Sequence, residues 1–211
     1  RKFGISKEEQ DAWSINSHLN ALKSKQILRS EITPILNQTN DLFTRKLNKK
    51  ICEKAPKLSD TVTHANSAIA ADAASFVVLV SELFFKNKMC KGVEVLGSGT
   101  SGIIPEETPL APVGAIQALL DQTKICLSKV AFIELMEAYA AQAIMCTRLC
   151  NLDLDKINIR GGALSRGHPI GASGAILVVR LFNELIKKPE TFGMAAIAAA
   201  GGIGSAMMLK S

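Results

Sequence analysis

Aromatic residues are scarce in this sequence, and it has no apolar run of transmembrane length. Phe, Trp and Tyr together make up 5% of the 211 residues, with a single Trp and a single Tyr. Proteins that bind single-stranded nucleic acid stack bases on aromatic side chains, so this scarcity argues against that class. The longest apolar stretches lie within 68–80, 175–182 and 194–200, and each is shorter than the roughly 20 residues that cross a bilayer. We expect no membrane span and no nucleic-acid partner.

A disulfide framework is missing as well. The five cysteines stand at positions 52, 90, 126, 146 and 150, and an odd count without a framework spacing is typical of reduced thiols in an intracellular protein. Cys146 and Cys150 share one face of a predicted helix, but a metal would need two further ligands, so we expect core packing and no metal site. No signal peptide is visible, and the last three residues are not a peroxisomal ending. The protein is expected to be intracellular, and the choice between mitochondrial and cytosolic stays open because the true N-terminus is expected to lie outside this chain.

Acidic residues are outnumbered, since the formal net charge is +6. Much of the excess lies in one stretch, at Arg45, Lys46, Lys49, Lys50, Lys54 and Lys57. A charge run is usually a solvated surface, and that is the first interpretation. Nucleic-acid binding is the second, although no recognition motif accompanies the run. A third interpretation depends on the resemblance described below.

The block Gly161–Gly174, which reads G-G-A-L-S-R-G-H-P-I-G-A-S-G, is the most informative stretch of the chain. His168 stands between Gly167, which permits close backbone approach, and Pro169, which fixes the next φ angle. The run that follows predicts a helix over 171–188, whose positive N-terminal end would disfavour an imidazolium. A neutral histidine in such a turn can take a proton from a nucleophile or donate to an oxyanion. The plainer alternative is a glycine-rich turn that happens to contain a histidine.

Local patterns predict an α/β domain with a mixed sheet. Ser6 and Glu9 form a capping box, so a helix is expected over 7–25, with irregular chain over 30–60. Further helices are expected at 68–85, 112–124 and 137–149, and strands at 93–96, 130–135, 157–160, 193–199 and 203–209. The glycine- and serine-rich string 97–102 is a loop by composition. Alternating strands and helices followed by an antiparallel pair indicate the α/β class.

Five blocks of the sequence together resemble the thiolase family. They are the Gly161–Gly174 block, E-L-M-E-A-Y-A-A-Q at 134–142, T-V-T-H-A-N-S at 61–67, F-G-I-S-K-E-E-Q-D at 3–11 and the glycine-containing tail 193–207. Ketoacyl synthases share part of the histidine block but lack its proline and the E-A-F/Y block. The resemblance covers the chain from end to end and implies the C-terminal half of the thiolase fold, with helices on both faces of a mixed sheet.

The resemblance also implies a domain organisation. Residues 1–69 would be part of the loop domain, 70–90 a helix returning to the N-terminal half, and 91–211 the C-terminal domain. It places 97–102 in a long strand, against the composition. An intact thiolase is about twice as long, so the N-terminal half is expected outside this chain. Thiolases assemble largely through that half, so a homo-oligomer is expected.

The implied activity is acyl transfer between 3-ketoacyl-CoA or acetyl-CoA and coenzyme A through a cysteine acyl-enzyme. His168 matches the histidine that activates the cysteine, while the cysteine itself lies in the half that this chain lacks. Coenzyme A is then a substrate, no covalently bound cofactor is expected, and the phosphates of the CoA nucleotide give the third interpretation of the basic run. The substrate-binding residues carried over by the match are Ala68, Ala138, Tyr139, Gly167 and Gly201.

Two chemical positions depart from the family pattern. The second cysteine, which acts as acid and base, aligns with Ala198, and alanine carries no proton. The asparagine that holds an oxyanion-hole water aligns with Met136, whose thioether is a weak acceptor. Ala68 replaces a serine found in many relatives. An alternative function is therefore a catalytically impaired thiolase-like protein that binds acyl-CoA or a partner subunit.

Overall fold

The computed structural model describes residues 3–88 and 91–211, which form two compact units. The first unit contains the described residues up to Ala73 together with Leu135–Gly171. The second contains the described part of Ala74–Glu134 together with Ala172–Ser211. The domain boundaries expected from the family, after residues 69 and 90, stay a prediction.

Within the described ranges the chain forms eight α-helices and six β-strands. The helices are α1 (Lys7–Lys23), α2 (Lys25–Arg29), α3 (Lys49–Lys54), α4 (Glu82–Lys88), α5 (Ala111–Thr123), α6 (Ala140–Leu149), α7 (Ala163–Arg166) and α8 (Ser173–Leu185). The strands are β1 (Lys57–Ser59), β2 (Val62–Thr63), β3 (Glu94–Gly102), β4 (Val130–Leu135), β5 (Phe192–Ala199) and β6 (Ile203–Lys210). None of the described helices is both long and apolar enough to cross a membrane.

Helix α1 begins where the sequence predicts it. The Ser6 side chain accepts a hydrogen bond from the Glu9 amide, and the Glu9 carboxylate accepts one from the Ser6 amide. This reciprocal capping box satisfies two backbone donors that a helix start otherwise leaves unpaired. In the first unit α1 packs against α3, α6 and α7.

The second unit is built on a four-stranded mixed sheet with strand order β3-β6-β5-β4. Strand β6 lies between β3 and β5 and is antiparallel to both, so β5 and β6 form the predicted terminal hairpin. Helix α5 packs against β3 and β6, and α8 packs against β5. Fully buried side chains on these helices and strands form the core, and they include Ile116, Leu119, Leu181, Met194 and Met208.

The loop expected from composition at 97–102 is wrong, because β3 continues to Gly102. Packing explains the glycine at position 99. A Cβ atom on Gly99 would overlap the carbonyl oxygen of Ala115 in α5, so glycine allows the helix to approach the strand closely. The strand implied by the family resemblance is the correct assignment.

The buried helix expected over 68–85 is also wrong. Residues 71–81 form no helix, and only the short α4 follows. The β-branched residues Val77, Val78 and Val80 disfavour a helix, and Phe76 and Val78 are 86% and 87% exposed. Burial within the described structure therefore does not explain why this run is apolar.

Smaller corrections concern element ends. The expected strand 157–160 is absent, since Asn158 has φ +45°, a left-handed value that a regular strand excludes. The helix expected from Glu137 begins at Ala140, and the helix expected over 171–188 is confined to Ser173–Leu185. The irregular region 30–60 contains α3 and β1.

Candidate functional site

The turn that carries His168 is held by backbone contacts within the first unit. The His168 amide donates to the carbonyl oxygen of Ile69 at 2.7 Å, and Ala70 and His168 form an isolated parallel bridge. Gly167 has φ +99°, and a Cβ there would lie 2.8 Å from Cβ of Ala71. Only glycine meets both conditions without strain. The turn is therefore specified by its backbone, which supports the sequence argument for His168.

The electrostatic environment favours a neutral imidazole at His168. The side chain is half-buried, and this burial lowers its pKa, with a further lowering from the positive charge of Arg166. A neutral imidazole keeps one nitrogen free of a proton and can act as a general base near neutral pH. This lowering of the pKa agrees in direction with the effect that the sequence argument attributed to a helix N-terminus, but burial and Arg166 cause it here.

A short segment, residues 66–71, joins His168 to the block that contains Ala138 and Tyr139. The Ala68 amide donates to the carbonyl oxygen of Ala138 at 2.9 Å. Ser67 and Tyr139 form an antiparallel bridge beside it. Since the same segment contacts His168 through Ile69 and Ala70, five of the predicted site residues meet along it. These are Ala68, Ala138, Tyr139, Gly167 and His168.

Met136 lies two residues before Ala138 and is fully buried, with 1% of its surface exposed. Its thioether presents no strong hydrogen-bonding atom to solvent.

Ala198 and Gly201 belong to the second unit. Ala198 lies near the end of β5 and pairs with Gly204, and Gly201 occupies the β5–β6 turn with φ +90°. Their proximity to His168, expected from the sequence, stays a prediction.

Glu137 is a residue of this region that the sequence analysis did not single out. Its carboxylate is 1% exposed and accepts four hydrogen bonds. The donors are Trp13 Nε1 at 3.0 Å, Ser17 Oγ at 2.8 Å, Asn158 Nδ2 at 2.7 Å and the Leu164 amide at 3.3 Å. The carboxylate thus ties α1 to α7 and to the chain just before α7. The sequence did carry a signal for a buried carboxylate at this position, because Glu137 is a second acidic residue, three positions after Glu134, in an otherwise apolar run.

The cysteines of the first unit are not activated. Burial raises the pKa of Cys146 to about 12 and that of Cys150 to about 11. Burial also raises the pKa of Cys52. Because a thiolate is the reactive form, these three thiols are poor nucleophiles. Cys126, in the second unit, is exposed, and its pKa is lowered by a hydrogen bond with Ser128. Cys90 lies outside the described residues.

A cavity of about 480 Å³ in the first unit is lined by basic side chains. Arg45, Lys50, Lys54 and His64 contribute to its wall, together with Ile51, Ala55, Pro56 and Ala65. We call it the basic pocket. Part of the basic run that the sequence showed therefore lines this open pocket. Among the described residues, no cluster of three or more His, Cys, Asp or Glu suits a metal ion.

Comparison with known proteins supports the resemblance. The model of the thiolase C-terminal domain matches residues 91–211. The chain is 35% identical over 219 residues to a Bacillus subtilis protein named "Putative acetyl-CoA C-acetyltransferase YhfS", covering 99% of this chain and 60% of that protein. It is 35% identical over 217 residues to a Staphylococcus aureus protein named "Probable acetyl-CoA acyltransferase", covering 95% of this chain and 55% of that protein. The chain thus spans somewhat more than half the length of these relatives.

Solved structures give the same result. The acetyl-CoA acetyltransferase of Bacillus anthracis is 28% identical with a TM-score of 0.90, covering 99% of this chain and 57% of that one. The Acat5 thiolase of Ascaris suum, solved with coenzyme A, is 28% identical with a TM-score of 0.89, covering 100% and 57% of the two chains. The predicted fold is therefore confirmed, and the chain belongs to the thiolase family, whose C-terminal domain it contains at residues 91–211.

Proposed function

We propose that this chain is part of a thiolase that transfers acyl groups between 3-ketoacyl-CoA or acetyl-CoA and coenzyme A. The observation that carries the proposal is His168, a half-buried imidazole kept neutral by burial and held by backbone contacts to Ile69 and Ala70. The nucleophilic cysteine is supplied by protein outside these 211 residues. This agrees with the raised pKa values of the three thiols in the first unit.

The chemistry of His168 follows from its protonation state. The neutral imidazole takes the proton of the cysteine thiol, and the thiolate attacks the carbonyl carbon of an acyl-CoA thioester. The bond between that carbon and the coenzyme A sulfur then breaks. The imidazolium returns its proton to the departing coenzyme A thiolate, leaving an acyl-cysteine.

The basic pocket is the proposed site for the phosphates of the CoA nucleotide. Its volume of about 480 Å³ falls within the range of ligand sites, and its wall carries one Arg and two Lys side chains beside His64. Arginine and lysine are the usual partners of phosphate oxygens. The Ascaris suum thiolase was solved in complex with coenzyme A, which supports the same ligand class here. Of the three interpretations of the basic run, this one is favoured.

The second acyl transfer is where the chain departs from the family. Condensation requires removal of a proton from the carbon of the second acyl-CoA, and the alanine at 198 cannot accept it. The buried thioether of Met136 likewise cannot position an oxyanion-hole water as an amide does. A protein that forms the acyl-enzyme but turns over slowly, or that only binds acyl-CoA, is the second candidate function.

Labelled acetyl-CoA distinguishes the two candidates in the full-length protein. If the first transfer survives, protein-bound label accumulates and persists, and Ala198→Cys raises turnover by roughly a hundredfold. His168→Ala should abolish labelling while leaving the affinity for coenzyme A within about twofold, because the histidine acts on the thiol and not on the nucleotide. Binding of coenzyme A without labelling in any variant supports the binding function. Absence of both binding and labelling contradicts the proposal.

A further inference from the structure

Three side chains of the first unit, His18, Phe43 and Arg45, form a stack beside the basic pocket. The ring centroids of His18 and Phe43 are 5.7 Å apart with an interplanar angle of 52°. The guanidinium carbon of Arg45 lies 4.1 Å from the centroid of the Phe43 ring. That distance is within the range of a cation–π interaction. Arg45 therefore contacts the stack and also lines the pocket.

His18 also holds the backbone of Arg45. Its Nδ1 atom accepts a hydrogen bond from the Arg45 amide at 3.3 Å. The imidazole lies on α1 and is 1% exposed. Because Nδ1 accepts, the ring proton is on Nε2, and the ring can hold Arg45 in this way only while it is neutral. His18 thus holds the backbone amide of Arg45 and also packs against the Phe43 ring on which the Arg45 guanidinium lies.

We propose that His18 and Phe43 are positioning residues that hold the Arg45 guanidinium at the basic pocket, ready to bind a phosphate of coenzyme A. The inference rests on the proposed function, which places the nucleotide in this pocket. His18 and Phe43 are not among the residues that line the pocket, so they would act through Arg45.

The physical reason is preorganisation. A free arginine side chain samples many rotamers, and ordering it on ligand binding reduces affinity. Stacking on Phe43 restricts those rotamers beforehand and leaves the edge of the planar guanidinium available for two parallel hydrogen bonds to phosphate. The Arg45 Nη1 atom also donates to the Phe43 carbonyl oxygen at 3.5 Å, near the limit for a hydrogen bond, and reinforces the same orientation.

Coenzyme A binding to the full chain, measured by calorimetry at fixed ionic strength, tests this inference. Phe43→Leu keeps an apolar side chain but removes the ring face, so the dissociation constant should rise about threefold to tenfold. His18→Leu removes the acceptor and should weaken binding similarly. His18→Gln retains an acceptor oxygen and should restore much of the affinity. Lys46→Ala, an exposed cation that does not line the pocket, is the matched control and should change affinity by less than about twofold.

A double-mutant cycle separates positioning from a general structural effect. In an Arg45→Ala background, Phe43→Leu should cause no further loss, because its effect passes through the arginine. An equal loss in both backgrounds overturns the inference. If Arg45→Ala weakens binding but the Phe43 and His18 variants do not, the positioning inference is wrong and the nucleotide site stands. If Arg45→Ala itself has no effect, the proposed nucleotide site fails.

Discussion

Replacing Glu137 by leucine should strongly destabilise the first unit. The carboxylate is buried and accepts from Trp13, Ser17, Asn158 and the Leu164 amide. Leucine has a similar size but accepts no hydrogen bond, so four buried donors lose their partner. A donor left unsatisfied in the interior costs about 1–3 kcal/mol. At the lower end of that range the four donors give about 4 kcal/mol, a large part of the total stability of a typical domain.

The conservative change Glu137→Gln should cost less, about 2 kcal/mol, because one acceptor oxygen is retained while the new amide group faces existing donors. Urea unfolding can be followed through Trp13, the single tryptophan of the chain, whose indole nitrogen donates directly to Glu137. Circular dichroism at 222 nm serves as a second probe, since the substitution alters the surroundings of the fluorophore. The midpoint should fall in the order wild type, glutamine variant, leucine variant.

Glu82→Gln is the matched control for this series. Glu82 is an exposed carboxylate that pairs with Lys86 four residues later, and such an exposed pair contributes little to stability. A Glu137→Leu variant as stable as the Glu82→Gln variant would refute the argument. Four buried donors without an acceptor must lower the stability unless water takes the place of the carboxylate.

Three further predictions concern stability and association. Burial lowers the pKa of His18 from 6.5 to about 4, so between these pH values the unfolded chain binds one proton more than the folded chain. The first unit should therefore lose up to about 3 kcal/mol of stability as the pH falls from about 6.5 to 4. His18→Gln should remove this part of the pH dependence. Gly167→Ala should lower stability by about 1–2 kcal/mol, since φ is +99° and the new Cβ would lie 2.8 Å from a neighbouring atom. The same change at the exposed Gly171, where a Cβ meets nothing within 4 Å, is the control and should be nearly neutral. Thermal unfolding measures both variants. The exposed Phe76 and Val78 should cause concentration-dependent self-association of this chain in sedimentation velocity, and changing both to serine should reduce it; equal association of the variant and the parent would show that other surfaces are responsible.

Elements with strong local signals were predictable from the sequence. The capping box at Ser6 and Glu9 placed the start of α1 correctly, and the terminal hairpin was located to within a residue or two. Local signals failed where packing decides the conformation. The string at 97–102 has the composition of a loop, yet it forms a strand because Gly99 lets α5 approach. The apolar run at 68–85 has the composition of a buried helix, but residues 71–81 form no helix, and Phe76 and Val78 are exposed.

The histidine turn was predictable for a different reason. Gly167 and Pro169 restrict the backbone around His168, so the sequence itself carries the conformation. Its partners could not be predicted in the same way, because segment 66–71 contacts the turn and the Ala138 block through backbone atoms, which leave no side-chain pattern. The hydrogen bonds received by Glu137 were missed for a similar reason, since their donors lie up to 124 residues away in the chain.

This distinction between backbone and side chain bears on the two departures from the family pattern. Ala68, Ala138 and His168 are brought together by main-chain hydrogen bonds and bridges, which do not depend on the side chain at Met136. Ala198 likewise pairs with Gly204 through the main chain of the terminal hairpin. A polar side chain can therefore be lost at either position while the scaffold persists. It follows that Ala198→Cys tests the chemistry of the site with little effect on the fold, so a gain in turnover would report on proton transfer and not on repaired structure.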